Sequence, residues 1–159
     1  LGWKHDDRPE VGELPDPDLN RIASMNPAVD KEQAVENSYT MKVNKRKLEN
    51  AKSSDTKETL EKTIREDTQS IGASVTSSYQ NVLAAKASME LKQAQAQLQE
   101  KSMQTTERQY HLGMIGRLDY LNRKYAYDSA VIQTQIAKYN LLQAIQSYEW
   151  VLDGLANAS

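Results

Sequence analysis

The sequence predicts an all-α protein, a long antiparallel coiled-coil hairpin in which one long helix packs against two shorter helices stacked end to end. Three observations carry this reading. From Asp55 to Leu112 there is no proline, and Gly72 is the single glycine. Within that span Val75, Val82, Met89, Ala96, Met103 and Tyr110 fall seven residues apart, the spacing that keeps one helix face against a partner helix. The pattern then stops at a short apolar stretch holding Gly113 and Gly116, beyond which a second helical pattern starts. Glycine suits such a reversal because it adopts the left-handed conformation that ends a helix without steric cost.

Composition agrees. The chain has 159 residues with 38% hydrophobic content, one domain's worth of chain with little material for a thick globular core. It holds 6 Gly and 4 Pro, and the remainder is rich in Ala, Gln, Glu, Lys, Ser and Leu, which favour helices. With Lys+Arg 20 against Asp+Glu 22, the net charge gives no electrostatic case for nucleic acid or an anionic membrane. No apolar run approaches the roughly 20 residues of a spanning helix. The opening Leu1 to Asp7 lacks the basic start and apolar middle of a signal peptide, and the missing initiator Met suggests a processed product or an excised fragment.

Residues 1–29 read as an irregular acidic strap. Pro9, Gly12, Pro15, Pro17 and Pro27 break any periodicity, apart from a possible single turn at 18–23. Trp3, Val11, Leu14, Leu19, Ile22 and Met25 are spaced along it, which predicts that it lies on helices. His5, Asp6 and Asp7 resemble metal ligands in type only; with no second ligand cluster in the chain, a solvated charged run is the reading.

Residues 30–159 read as the coiled-coil repeat, with helices at about 30–53, 55–112 and 117–155. Asp30 with Gln33 is placed to form a capping box for the first. Ala34, Met41 and Leu48 then follow seven apart, widened by Val35, Tyr39 and Val43. The pattern weakens at 50–54, and Asp55 with Glu58 offers a second box. The helix either turns back here or runs on unbroken. The middle helix, at roughly 58 residues, would be about 87 Å long. Its seam is flanked by Ile64, Ile71 and Ala85 on one side and by Leu91, Ala94 and Leu98 on another; its remaining faces carry Ser70, Ser74, Thr76, Ser77, Gln93, Gln95 and Gln97. Such neutral faces suit a close helix contact, a hydrated passage or plain solvent.

In the third helix Leu118, Tyr125, Ile132 and Tyr139 fall seven apart, and the seam continues through Leu141, Ile145, Tyr148, Leu152 and Leu155. The tyrosines read as core or interface. The first and third helices together, about 61 residues, match the middle helix of roughly 58, so a reversal near Ser53 and Ser54 would let both lie along it.

The stretch Tyr110-x-x-Gly113-x-x-Gly116-x-x-Asp119-x-Leu121 resembles the hairpin signature of the TolC-like outer membrane efflux proteins, commonly Tyr-x-x-Gly-x-x-Ser-x-x-Asp-x-Leu. Ala73 to Lys86, with Tyr79, Val82, Leu83 and Ala85, is similar to the stretch that follows that family's barrel strands. Ala137, Asn140, Leu141, Ala144 and Tyr148, then Leu152-Asp153-Gly154, resemble its closing helix, and Gln33 to Ser38 its helix leading into the barrel. The likeness covers about residues 26–155 and rests on the order and spacing of the pieces.

The resemblance implies the second of two helical repeats in a protomer. Three protomers would enclose a hollow cylinder, and its helical tips would contact a membrane fusion (adaptor) protein of a tripartite exporter. It also implies an extracytoplasmic place in the cell envelope and no cofactor. One departure is plain. The family inserts barrel strands between its first two helices, where this chain has 53–55 alone, and no alternating segment of the roughly 10 residues of a membrane strand occurs. The resemblance therefore implies either a barrel-less relative or one whose strands have been removed.

The residues themselves suggest no enzyme. The two histidines, His5 and His111, lie apart, cysteine is absent, and no serine stands in a nucleophile elbow or phosphate loop. Two readings follow. In the first, the chain is a wall segment whose tip, Leu112, Gly113, Met114, Ile115, Gly116, Arg117, Leu118 and Asp119, docks an adaptor's helical hairpin. In the second, it is a structural coiled coil that dimerises or spaces other domains, with the apolar turn packed inside its own assembly.

Overall fold

The computed structural model describes residues 15–155; Trp3, the His5 to Asp7 run, Val11 and Leu14 lie outside the described residues. Five helices follow one another, α1 (Leu19–Ser24), α2 (Pro27–Asn37), α3 (Tyr39–Asn50), α4 (Ser54–His111) and α5 (Arg117–Leu152), and no strand occurs among the described residues. The protein is all-α, with the shorter helices packed on the long α4.

α4 runs unbroken for 58 residues, about 87 Å at the rise of an α-helix. Its heptad line is the inner seam. Val75 and Val82 are fully buried and Met103 nearly so, while Met89, Ala96 and Tyr110 are half-buried. Ile71, Val75 and Val82 share one core with Leu141, Tyr148 and Leu152 of α5, Ala34 and Met41 of the α2–α3 arm, and Ile22 and Met25 of the strap. The core therefore lies along the first half of α4, away from the α4–α5 turn. The flank formed by Leu91 and Leu98 is left in solvent.

The first arm differs from the sequence expectation in two ways. α2 starts at Pro27, capped by the Asn26 side chain on the Ala28 N–H, and not by Asp30. Proline at the first helical position behind an asparagine cap is a strong start signal. Asp30 instead turns back to accept the Asn26 N–H at 2.9 Å. The second difference is a break at Ser38, whose extended ψ of 121° ends α2 and starts α3. Ser38 is buried and its Oγ caps the Met41 N–H. The C-terminus of α5 docks here: the Asn37 amide donates to the Leu152 carbonyl at 2.8 Å, and Gly154 lies against the Asn37–Ser38 backbone.

This docking sets the order of packing along α4. α2 lies beside both α4 and α5, and α3 packs on α4 where α5 has ended. The shorter helices thus follow one another along α4, as expected, with α2 overlapping the end of α5. The open question at Ser53 is settled as a reversal. α3 ends at Asn50, and Ser53, not Asp55, caps α4 by accepting the Thr56 N–H at 3.2 Å.

The strap residues Ile22 and Met25 pack into the core, whereas Leu19 stays half-exposed. Arg21 pairs with Glu149 at 3.3 Å, and Asp16 with Lys138 at 2.7 Å, an interaction that holds the Asp16 carboxyl below its ordinary pKa.

The expected seam of α5 is corrected in its first half. Leu118, Tyr125, Ile132 and Tyr139 face solvent, at 72%, 65%, 59% and 54% exposure. Ala137, Leu141, Tyr148 and Leu152 are the buried set, extended toward the turn by Thr134, whose hydroxyl lies 3.1 Å from the Lys92 carbonyl. α5 carries two apolar faces, and spacing alone does not say which one meets α4.

Candidate functional site

The α4–α5 turn is built by one backbone device. Leu112 is the C-cap of α4, Gly113 follows with φ +69°, and two hydrogen bonds close the end. The Gly113 N–H donates to Tyr110 O at 3.0 Å and the Met114 N–H to Gln109 O at 2.8 Å, the paired arrangement of a Schellman motif. The chain ends α5 the same way, with Gly154 at φ +75° and the Leu155 N–H on Trp150 O at 2.9 Å. The two glycines differ in surroundings. A Cβ on Gly154 would meet Asn37 backbone at 2.9 Å, whereas one on Gly113 would meet nothing within 4 Å.

Gly116 is the N-cap of α5 and makes no side-chain cap bond. Its φ of −76° is open to any residue, and a Cβ there would also meet nothing within 4 Å. Glycine is among the residues favoured at a helix N-cap, which accounts for it here.

Around these glycines the apolar residues point outward. Leu112, Met114 and Leu118 are 75%, 68% and 72% exposed, Ile115 is half-buried, and Arg117 and Asp119 are exposed. Asp119, in the first turn of α5, suits the positive end of the helix dipole. All eight residues expected at the tip stand together at this end of the hairpin, and the apolar ones form an unusual concentration for a surface turn.

The turn is braced by a contact that the sequence reading missed. Tyr110 and Tyr120 stack across it, ring centroids 4.6 Å apart and planes inclined by 22°, with His111 beside Tyr110 at 6.3 Å. The signal was available, since the two tyrosines stand equally far on either side of Ile115. The stack holds the helix ends together where the main core does not reach, so the tip is a preorganised surface and not a loose loop.

No family model, curated protein or solved structure matches this chain.

Among the described residues, no group of three or more His, Asp or Glu side chains is gathered to hold a metal ion, and no helix is long and apolar enough to cross a membrane. The neutral faces of α4 are solvent-facing. Ser70, Ala73, Ser77 and Asn81 are exposed, and together with Ser74 and Ser78 they line a shallow open groove. From Thr68 to Ala85 the helix carries no charged residue. The chemistry on offer is thus that of a contact surface, an apolar tip at one end and a charge-free helical face at mid-length.

Proposed function

We propose that the chain is a non-enzymatic helical segment of a TolC-like efflux or secretion channel, contributing part of a tunnel wall and docking a membrane fusion (adaptor) protein through its hairpin tip. One observation carries the reading. Leu112, Met114 and Leu118 are held in solvent at 68% to 75% exposure, around a turn braced by the Tyr110–Tyr120 stack. A partner that covers these three residues accounts for their exposure on a preorganised turn. An adaptor's helical hairpin has that shape, since an apolar helix ridge fits over a small-residue turn. The resemblance in the hairpin signature supports the same partner, and with it an extracytoplasmic place in the cell envelope and a homotrimer for the full-length protein. The charge-free face of α4 is suited to lining a neutral passage.

The test is a binding titration of the chain against the helical hairpin of a membrane fusion (adaptor) protein from the same cells. Gly116→Arg combined with Leu118→Glu should reduce affinity at least a hundredfold while far-UV circular dichroism stays unchanged. Unaltered affinity would remove the tip from the reading.

A further inference from the structure

The outer face of α5 is a second unpartnered surface. Leu118, Tyr125, Ile132, Ile136, Tyr139 and Trp150 are all 52% to 72% exposed. At 100° per residue they fall within an arc of about 60°, on the side opposite the buried Ala137, Leu141 and Tyr148. They span about 48 Å of helix and expose on the order of 800 Å² of side chain, the share one partner contributes to an interface of ordinary size.

The face is also free of charge. From Ser129 to Trp150 the charged residues are Lys138 and Glu149; both point away from the stripe, to Asp16 and Arg21 respectively. Nearer the tip, Lys124 and Asp128 neutralise each other at its edge, 3.0 Å apart. The positions flanking the seam carry the acids Asp119, Asp128 and Glu149; Asp128 is neutralised by Lys124 and Glu149 by Arg21 within the chain, so little net charge selects a partner of opposite sign or repels a second copy.

The stripe has the alternating spacing of a coiled-coil seam, through Leu118, Asn122, Tyr125, Ser129, Ile132, Ile136, Tyr139, Gln143, Gln146 and Trp150. We propose that two copies of this chain pair through it, antiparallel, about a two-fold axis midway between Ile132 and Ile136. In that register Leu118 meets Trp150 of the second copy, Asn122 meets Gln146, Tyr125 meets Gln143, Ser129 meets Tyr139 and Ile132 meets Ile136. Every layer then matches apolar with apolar, amide with amide, or a large tyrosine with a smaller polar residue, which is how facing positions interdigitate. Shifting the register by a heptad sets Ile132 against Gln143 or Ser129. A parallel pair sets each tyrosine and the tryptophan against itself.

The pair leaves the two tips at opposite ends, so it is a form of the free chain. In a wall whose copies all point one way the same face packs on another helix, and the pair must open first. The inference rests on the α5 face alone and does not need adaptor docking.

The test uses the full chain in sedimentation velocity and cysteine cross-linking. The wild-type chain should sediment at twice its 18.0 kDa mass. Ile132→Glu with Ile136→Glu, which leaves Leu112 to Gly116 untouched, should be monomeric with unchanged helicity. The chain has no cysteine, so Ser129→Cys with Tyr139→Cys should form an intermolecular disulfide, while Ser129→Cys alone should not. A wild-type monomer or trimer, a dimer that survives both glutamates, or cross-linking by the single variant would each overturn the proposal. Met114→Glu, which lies outside the α5 stripe, should lose adaptor binding and still dimerise, which separates the two surfaces.

Discussion

The Tyr148 hydroxyl donates a hydrogen bond to Asp30 Oδ2, the oxygen that also accepts the Asn26 N–H. One carboxylate thus ties the start of α2 to the middle of the core, where Tyr148 is fully buried against the ring of Tyr79 at 6.3 Å. Tyr148→Phe keeps the packing and removes the tie. The expected loss is about 1.5–3 kcal/mol, since the bond is to a charged group, read as a lowered urea midpoint.

The same pair predicts an alkaline weakness. Burial first, and the Asp30 carboxylate second, push the Tyr148 hydroxyl well above its ordinary pKa. A raised folded-state pKa gives stability that is full below the unfolded value of about 10 and lost as pH rises beyond it. Between pH 9 and 11 the wild-type midpoint should therefore fall more steeply than that of Tyr148→Phe. Parallel curves would contradict this, because the other tyrosines are common to both proteins.

Three glycines should respond differently to alanine. Gly113→Ala meets only the left-handed φ penalty of about 1–2 kcal/mol, because the space around it is open. Gly154→Ala adds a collision with the Asn37 and Ser38 backbone, so it should cost clearly more, about 3 kcal/mol or above. Gly72→Ala meets only the flexible end of Lys31 and should stabilise α4 by about 0.5–1 kcal/mol through helix propensity. Urea unfolding of the three variants gives the order directly.

The two kinds of apolar residue on the long helices are separable in the same way. Leu141→Ala, at a fully buried position, should cost about 2–4 kcal/mol. Leu98→Ala, 67% exposed on α4, should change stability by under about 0.5 kcal/mol. Equal losses would mean that the Leu98 face is covered within the chain.

These contrasts mark where the sequence was readable. The unbroken α4 was legible because proline is absent and the Val75 to Tyr110 line holds its period. The position of the turn was legible because glycine there has a backbone task. The break at Ser38 was not, since Ala34, Met41 and Leu48 keep their spacing through it; a capping serine inside a helical pattern was the faint signal, and the docking of Leu152 and Gly154 that fixes it is a long-range contact. The inner face of α5 was ambiguous because Leu118, Tyr125, Ile132 and Tyr139 obey the same period as the true seam. At the tip, the exposed apolar residues were foreseeable from their place in a glycine turn between two helices, whereas the Tyr110–Tyr120 stack required knowing how closely the helix ends approach.

The most direct measurement of the proposed tip docking is site-specific photo-cross-linking of the protein in its native cells. A photoreactive residue replacing Met114 or Leu118 should give an adduct with a membrane fusion (adaptor) protein, and one replacing Leu98 should not. Adducts to that protein from Leu98 alone, or none from either tip position, would contradict docking through the Gly113–Gly116 turn.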